Sequence, residues 1–194
     1  MSPKTRVLMI AVALLSPVDF QPALSRPQQG QDHTPDVVYV GTPYDIVSRM
    51  LKMAGVKKTD LVYDLGCGDG RMVVLAAKKH GCRGVGYDID PERIAAARRN
   101  VRRNGVERLV KIVEADLFTL DFSNADVLAL YLLPEINDKL LPKFEKLKPG
   151  SRLVFHDYGL PDIKADAEIS VISNEDNASH TLYLYSAPLE HEKQ

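Results

Sequence analysis

A short glycine-rich stretch, VYDLGCGDGR at residues 62–71, limits the folds that this chain can adopt. Gly66, Gly68 and Gly70 directly follow an apolar run, and a helix-forming sequence comes after them. Glycine accepts backbone conformations that other residues avoid, so the pattern predicts a tight turn between a strand and a helix. In sheets built from such βα units, ligands bind at the carboxyl ends of the strands.

The alternation of strand and helix continues along the chain. Residues 43–54 predict a helix, with Thr42 as its N-cap and Pro43 in its first position. Beyond the glycine loop, strand and helix patterns alternate up to a fifth strand, and we expect Pro142 to interrupt the last helical connection. Two further apolar runs predict an antiparallel hairpin. This order predicts an α/β fold with a seven-stranded, mostly parallel sheet, a C-terminal antiparallel hairpin and helices on both faces.

Charge and cysteine content exclude several classes of protein. The chain has 25 basic and 26 acidic residues and a formal net charge of -1, whereas nucleic-acid-binding domains are usually clearly basic. Cys67 and Cys82 are too few for a disulfide framework or a zinc site built on thiolates. We therefore predict two free thiols, no metal site and no nucleic-acid partner.

The amino-terminal segment differs in composition from the rest. A basic start is followed by an apolar run, a polar tail and small residues suited to cleavage. The run is shorter than the roughly 20 residues that span a bilayer. We expect residues 1–25 to be a signal-like segment, with an uncleaved anchor, an organellar presequence and a misplaced start as alternatives. Residues 26–36 predict a disordered linker, and residues 37–190 the folded domain.

The glycine loop does not fit the usual phosphate-binding patterns. A P-loop requires a lysine and then a serine or threonine after its last glycine, but Arg71 and Met72 follow Gly70. A dinucleotide fingerprint would place the third glycine one residue later, and Asp69 within the loop would repel a pyrophosphate. The loop is therefore not predicted to hold phosphates.

Three carboxylates at strand ends indicate a positively charged ligand instead. Asp64, Asp88 and Asp116 lie at the ends of the first, second and third predicted strands. Because these ends meet at one edge of a parallel sheet, the three form a negatively charged crevice. Asp88 is placed to accept hydrogen bonds from a ribose diol, and Asp116 from an exocyclic amine. A ligand with an ammonium, a sulfonium, a ribose and an adenine satisfies this set, and S-adenosylmethionine is such a ligand.

The segments VYDLGCGDGR, GVGYDIDPE and EADLF together resemble the three cofactor motifs of class I S-adenosylmethionine-dependent methyltransferases. The resemblance implies a Rossmann-like fold and methyl-transfer activity. It also implies that residues of these motifs bind the cofactor: Asp64, Gly66, Cys67, Gly68, Gly70, Asp88, Ile89, Asp116 and Leu117. Within the second motif, we assign Asp90 to the N-cap of the following helix.

Two further segments resemble a narrower family. YVGTP at residues 39–43 and LYLLPEIN at residues 130–137 are similar to the family of the ATP synthase c-subunit lysine methyltransferase, which includes bacterial and archaeal protein-lysine methyltransferases. In that family YVGTP lies over the cofactor, so the resemblance makes Tyr39 and Thr42 candidate cofactor contacts. It further implies a lysine side-chain amine as methyl acceptor and hence a protein partner.

Candidate acceptor-site residues follow the fourth and fifth predicted strands. LYLLP differs from the N/D-P-P-Y/F sequence usual in methyltransferases that modify bases, which argues against a nucleic-acid acceptor. Tyr131 is the candidate for an acceptor channel, and His156 and Asp157 are candidates for lining the active site. Because no general base is apparent, we expect direct displacement at the sulfonium methyl by the amine. The alternatives are a small-molecule methyltransferase of the same fold and a non-catalytic module that binds S-adenosylmethionine.

The cellular location stays open at the level of sequence. The signal-like segment favours export or N-terminal membrane association, whereas the supply of S-adenosylmethionine favours exposure to the cytoplasm. We expect the protein to be a monomer.

Overall fold

A computed structural model of the protein describes residues 40–192. The predicted signal-like segment, the predicted linker and the candidate contact Tyr39 lie outside the described residues. Within residues 40–192, no helix is both long enough and apolar enough to cross a membrane.

Helices and strands alternate in the order that the sequence predicts. The elements are α1 (Tyr44–Met53), β1 (Leu61–Leu65), α2 (Arg71–His80), β2 (Arg83–Asp88), α3 (Pro91–Arg103), β3 (Val110–Glu114), β4 (Val127–Leu130), α4 (Pro134–Phe144), β5 (Arg152–His156), β6 (Ala167–Ile172) and β7 (Ser179–Ser186). The strands form a seven-stranded sheet in the order β3-β2-β1-β4-β5-β7-β6. Strands β1 to β5 are parallel, and β7 is antiparallel to both β5 and β6. The predicted sheet and its C-terminal hairpin are confirmed.

Alternate side chains of the central strands pack against helices on opposite faces of the sheet. On one face, Leu128 belongs to the same core as Phe144 of α4. On the other face, Val127 belongs to the same core as Met50 of α1. All four residues of β4 are buried, as expected for a strand covered on both sides. This packing fixes the carboxyl ends of β1, β2 and β4 at one edge, where the site lies.

Two details of the helix predictions were wrong. Helix α1 begins at Tyr44, and its N-cap is Pro43, which has no side-chain cap. The Thr42 hydroxyl does not cap the helix and contacts Nδ1 of His156 instead. Helix α4 contains Pro142 in its last turn and is not interrupted there. The missing proline N–H leaves only the carbonyl of Asp138 without its helical donor, and Asp138 is exposed, so water can bind that carbonyl. Both cysteines are buried and free, as predicted.

Phe144→Ala tests the core that supports the site. The Phe144 ring is fully buried, with ring centroids 5.8 Å from those of Phe122 and Phe155. We expect its removal to lower the free energy of unfolding by about 3–5 kcal/mol, measured by urea denaturation. The control Ile172→Ala, at a residue that is 68% exposed, should change it by less than about 0.5 kcal/mol. Equal effects of the two changes would contradict this description of the core.

Candidate active site

A cleft of about 740 Å³ opens at the carboxyl edge of the sheet, where the strand order reverses between β1 and β4. This switch point is the usual ligand position in open α/β sheets. Most of the predicted site residues line the cleft. They are Thr42, Asp64, Gly66, Cys67, Asp88, Ile89, Asp116, Leu117 and Tyr131.

Four predicted site residues lie outside the cleft lining. Gly68 and Gly70 shape the loop beneath it, His156 lies behind Tyr131, and Asp157 lines a second groove. Other residues line the cleft without having been assigned a role from sequence. They include Arg71, Arg93, Phe118, Leu133, Ile136 and Tyr158.

The glycine loop presents main chain to the cleft. Gly66, Gly68 and Gly70 have φ values of 73°, 54° and 73°, in the left-handed region that favours glycine. A Cβ atom on Gly66 would lie 3.1 Å from the side chain of Leu132, which is tighter than ordinary contact. A ligand can therefore approach the backbone at the start of α2 without meeting side chains.

Asp64 lines the cleft and is a buried carboxylate with one unsatisfied oxygen. The residue is 2% exposed, and its Oδ2 atom has no hydrogen-bond partner among the described residues. Burial raises the pKa of Asp64 well above its ordinary value, and the negative charges of Asp88 and Asp69 raise it further. Because a buried charge without a partner is unfavourable, this carboxylate fits a cationic group of a ligand.

Asp88 is held in a fixed orientation by the loops on either side. Its Oδ2 accepts a hydrogen bond from the N–H of Gly68 at 2.8 Å, and its Oδ1 accepts one from the N–H of Asp90 at 3.0 Å. Each carboxylate oxygen can accept more than one hydrogen bond, so both can still receive ligand hydroxyls. Asp90 in turn accepts from the N–H of Glu92 at 2.8 Å, which confirms its predicted role as a helix cap.

Asp116 lies two residues beyond the end of β3 and lines the cleft. Its Oδ1 accepts a hydrogen bond from the N–H of Phe118 at 2.9 Å, which fixes the carboxylate in the loop. The Phe118 side chain is 42% exposed and lines the cleft beside it. The far end of the cleft thus combines an acceptor group with an aromatic ring, a combination that suits a flat heterocycle with an amino group.

Arg71 links the segment before α1 to the glycine loop. Its guanidinium makes two 2.9 Å hydrogen bonds to the carboxylate of Asp69 and donates to the carbonyl of Thr42, also at 2.9 Å. It also lies 5.0 Å from the centroid of the Tyr44 ring. A Cβ atom on Gly41 would come within 2.5 Å of the guanidinium carbon, so a side chain at this position would displace the guanidinium. The sequence pattern gave Arg71 no role in the site and showed only that the loop is not a P-loop.

Two tyrosines form an aromatic wall on the side of the cleft near β4 and β5. Tyr131 and Tyr158 both line the cleft, and their rings are nearly parallel, at 9°, with centroids 6.2 Å apart. Burial, helped by the charge of Asp157, raises the pKa of Tyr131. The hydroxyl therefore stays protonated at neutral pH, and the wall adds no charge to the cleft.

His156 supports this wall from behind, which corrects its predicted position at the cleft. It is 1% exposed, and its ring centroid lies 4.1 Å from that of Tyr131. Its Nδ1 lies 3.0 Å from Oγ1 of Thr42, and its Nε2 lies 2.8 Å from Nδ1 of His180. Burial lowers the pKa of His156 to about 4, with Asp157 opposing the shift, so the imidazole is neutral at pH 7.

Comparisons with family models and with known proteins indicate the same family. The model of the ANTKMT methyltransferase domain family matches residues 64–167. A protein-lysine N-methyltransferase of Saccharolobus islandicus (strain REY15A) is 45% identical over 156 residues, which are 79% of this chain and 95% of that protein. This chain belongs to the ANTKMT methyltransferase family. The ATP synthase c-subunit lysine N-methyltransferase of Xenopus laevis is 30% identical over 125 residues, and the match covers 64% of this chain and 54% of that relative.

A solved structure supports the same assignment. The crystal structure of an RNA methyltransferase from Salinibacter ruber, in complex with S-adenosyl-L-homocysteine, has 43% sequence identity and a TM-score of 0.73. The match covers 80% of this chain and 98% of that one. The predicted Rossmann-like methyltransferase fold, the transferase activity and S-adenosylmethionine as cofactor are confirmed.

Asp64→Asn should stabilise the unliganded protein at pH 7 while weakening its binding of S-adenosylmethionine. Because the pKa of Asp64 is raised on folding, the free energy of unfolding falls as pH rises from the ordinary aspartate pKa through the raised value. Asparagine cannot ionise, so the free energy of unfolding does not fall in this way. We expect a higher melting temperature than in the wild type, and calorimetry should show weaker cofactor binding. Glu107→Gln, at an exposed position, is the control and should change neither. A lower melting temperature with full affinity would contradict this role of Asp64.

Arg71→Lys tests the link over the cleft. Lysine keeps the charge but cannot make the paired hydrogen bonds to Asp69 while also reaching the Thr42 carbonyl. We expect the KM for S-adenosylmethionine to rise by about tenfold or more, with a smaller effect on kcat. Gly41→Val, which displaces the same guanidinium, should act in the same direction. Arg49→Lys on the exposed face of α1 should have no effect, and equal KM values for all three variants would disprove the link.

Proposed function

We propose that this protein is a protein-lysine N-methyltransferase. The observation that carries the proposal is that one cleft joins the carboxylates Asp64, Asp88 and Asp116 to the aromatic wall of Tyr131 and Tyr158. The first set suits a cationic nucleoside, and the second suits the apolar stem and amine of a lysine. The 45% identity to a protein named as a protein-lysine N-methyltransferase supports the same acceptor.

The cofactor side of the cleft fits S-adenosylmethionine group by group. The carboxylate of Asp64 would accept from the ammonium, Asp88 from the ribose hydroxyls and Asp116 from the adenine amine. The main chain of the glycine loop would lie beneath the amino-acid end, where a side chain would collide. When bound, the cofactor supplies an electrophilic methyl group on a sulfonium.

The acceptor side must deliver a neutral amine. A free lysine has a pKa of about 10.4, so about one molecule in a thousand is neutral at pH 7.4, a deficit of about 4 kcal/mol. Tyr131, Tyr158, Leu133 and Ile136 line this side and carry no charge. Their apolar surface lowers the lysine pKa by desolvation, and the nearby positive charge of the cofactor adds to the effect. These side chains align the amine and exclude water from it. The lysine ammonium releases its proton to solvent before the neutral amine reacts.

RNA methylation is the second candidate, because a relative at 43% identity is named an RNA methyltransferase. The net charge of -1 gives little general attraction to a polyanion. The LYLLP sequence at the end of β4 also differs from the pattern usual in base-modifying enzymes. These two observations favour a protein acceptor over RNA.

Transfer of labelled methyl groups distinguishes these acceptors. The purified protein is incubated with methyl-labelled S-adenosylmethionine and a lysate of its own organism, followed by protease or ribonuclease digestion and mass spectrometry. We expect label on lysine side chains, and label confined to RNA or to small molecules would overturn the proposal. Asp88→Ala should reduce labelling by more than about a hundredfold by removing the ribose contact. Glu107→Gln should leave it unchanged.

We also propose that the domain acts as a monomer in the compartment that holds S-adenosylmethionine. The cofactor requirement supports this location, and the signal-like segment would then associate with a membrane without serving as a secretion signal. N-terminal sequencing of the mature protein tests whether the segment is retained, and light scattering tests whether the protein is a monomer. Cleavage near residue 25 with export, or a stable dimer, would contradict them.

A further inference from the structure

Behind the aromatic wall, three metal-binding side chains converge between the end of β5 and β7. Nε2 of His156 lies 2.8 Å from Nδ1 of His180, and Oδ2 of Asp157 lies 3.3 Å from the first atom and 3.4 Å from the second. We propose that these three atoms bind a divalent transition-metal ion, and that Zn²⁺ fits the site best. The site does not depend on the identity of the methyl acceptor.

The spacing of the three atoms suits a tetrahedral ion. Zinc binds imidazole nitrogen and carboxylate oxygen at about 2.0–2.2 Å, so tetrahedral ligand atoms lie about 3.3–3.5 Å apart. Two of the three separations, 3.3 and 3.4 Å, match this spacing. The 2.8 Å separation between the imidazoles would need to widen by about half an ångström. Two histidines and one carboxylate, with water in the fourth position, are a ligand set known from catalytic zinc sites.

The outer atoms of the same three side chains are already engaged, as in protein metal sites. The contacts are Nδ1 of His156 with Oγ1 of Thr42 at 3.0 Å, Nε2 of His180 with the carboxylate of Asp176 at 3.2 Å, and the N–H of Thr181 donating to Oδ1 of Asp157 at 2.9 Å. Histidine ligands of metals usually donate their other ring N–H in this way, which fixes the tautomer with a lone pair towards the ion. The surroundings therefore orient each ligand atom towards the shared point.

With both imidazoles neutral, hydrogen bonding leaves one of these contacts unsatisfied. If neutral His180 donates its Nε2–H to Asp176, its Nδ1 carries only a lone pair. A proton on Nε2 of His156 can satisfy that lone pair, but Nδ1 of His180 still faces the carboxylate oxygen of Asp157 at 3.4 Å. Two acceptors then face each other in a largely buried place, where repulsion is poorly screened. A cation at the centre removes this repulsion.

The ion would hold the acceptor wall in place without taking part in the reaction. It would join the end of β5 to its antiparallel neighbour β7 and fix His156, which contacts both Tyr131 and Thr42. Asp157 also lines a second groove, and its side chain is 28% exposed, so an ion can reach the site from solvent. The role is structural, comparable to a clamp between two strands.

Metal titration of the full chain tests the site directly. After chelator treatment and dialysis, the protein is titrated with ZnCl₂ by calorimetry, and with Co²⁺ while the visible absorption of tetrahedral cobalt is followed. We expect one ion per chain and a rise in melting temperature with added Zn²⁺. Absence of saturable binding, or cobalt spectra without tetrahedral bands, would overturn the proposal.

Two variants assign the binding to these residues. Asp157→Asn keeps the hydrogen bond from Thr181 and tolerates the positive φ of 59° at this position, but it removes the anionic ligand. His180→Gln removes an imidazole. Each should weaken Zn²⁺ binding by at least about tenfold, whereas His191→Gln, at a histidine elsewhere on the surface, should not. Unchanged affinity in Asp157→Asn, which should fold normally, would overturn the proposal even if His180→Gln failed to fold.

Discussion

The carboxylate of Asp64 is the constraint around which the site is organised. β1 lies between β2 and β4 in the sheet, with β2 pairing along its whole length, so its carboxyl end cannot move away from the cleft. Burial on both faces leaves Asp64 2% exposed with one oxygen unpartnered among the described residues. A protein that is only marginally stable retains such a group where function requires it. Gly66, in the glycine loop directly after it, lines the same cleft, so main chain lies beside this carboxylate.

The remaining residues of the cleft form two sides that differ in charge. The end of β2 and the loop after β3 supply fixed acceptor groups, Asp88 and Asp116, whose orientation is set by backbone N–H donors. The segment after β4 supplies uncharged aromatic and aliphatic surface, beginning at Tyr131. Charge is therefore concentrated where a cationic nucleoside binds and is absent from the wall that would receive an amine. This separation is what methyl transfer to a lysine needs, because the amine must lose its charge before it reacts.

The cofactor side could be predicted from sequence because its signals are local. Asp64 and the glycines lie within seven residues of one another, and Asp88 occurs at the end of a clear strand. The supporting contacts could not be predicted, because they join distant positions. Arg71 bonds to a carbonyl 29 residues earlier in the chain, and His156 contacts a hydroxyl 114 residues earlier. His156 was predicted to line the cleft because it follows the core of the fifth predicted strand at the correct edge of the sheet. Its ring instead lies behind Tyr131. The direction of the ring is set by tertiary packing, which a sequence pattern does not show.

A crystal structure of the full chain with S-adenosyl-L-homocysteine is the decisive test of the role given to Asp64. We expect the amino nitrogen of the ligand at about 2.7–3.2 Å from a carboxylate oxygen of Asp64, with the ribose hydroxyls on Asp88. A ligand bound in the cleft without contact to the Asp64 carboxylate, or bound elsewhere on the protein, would show that this role is wrong.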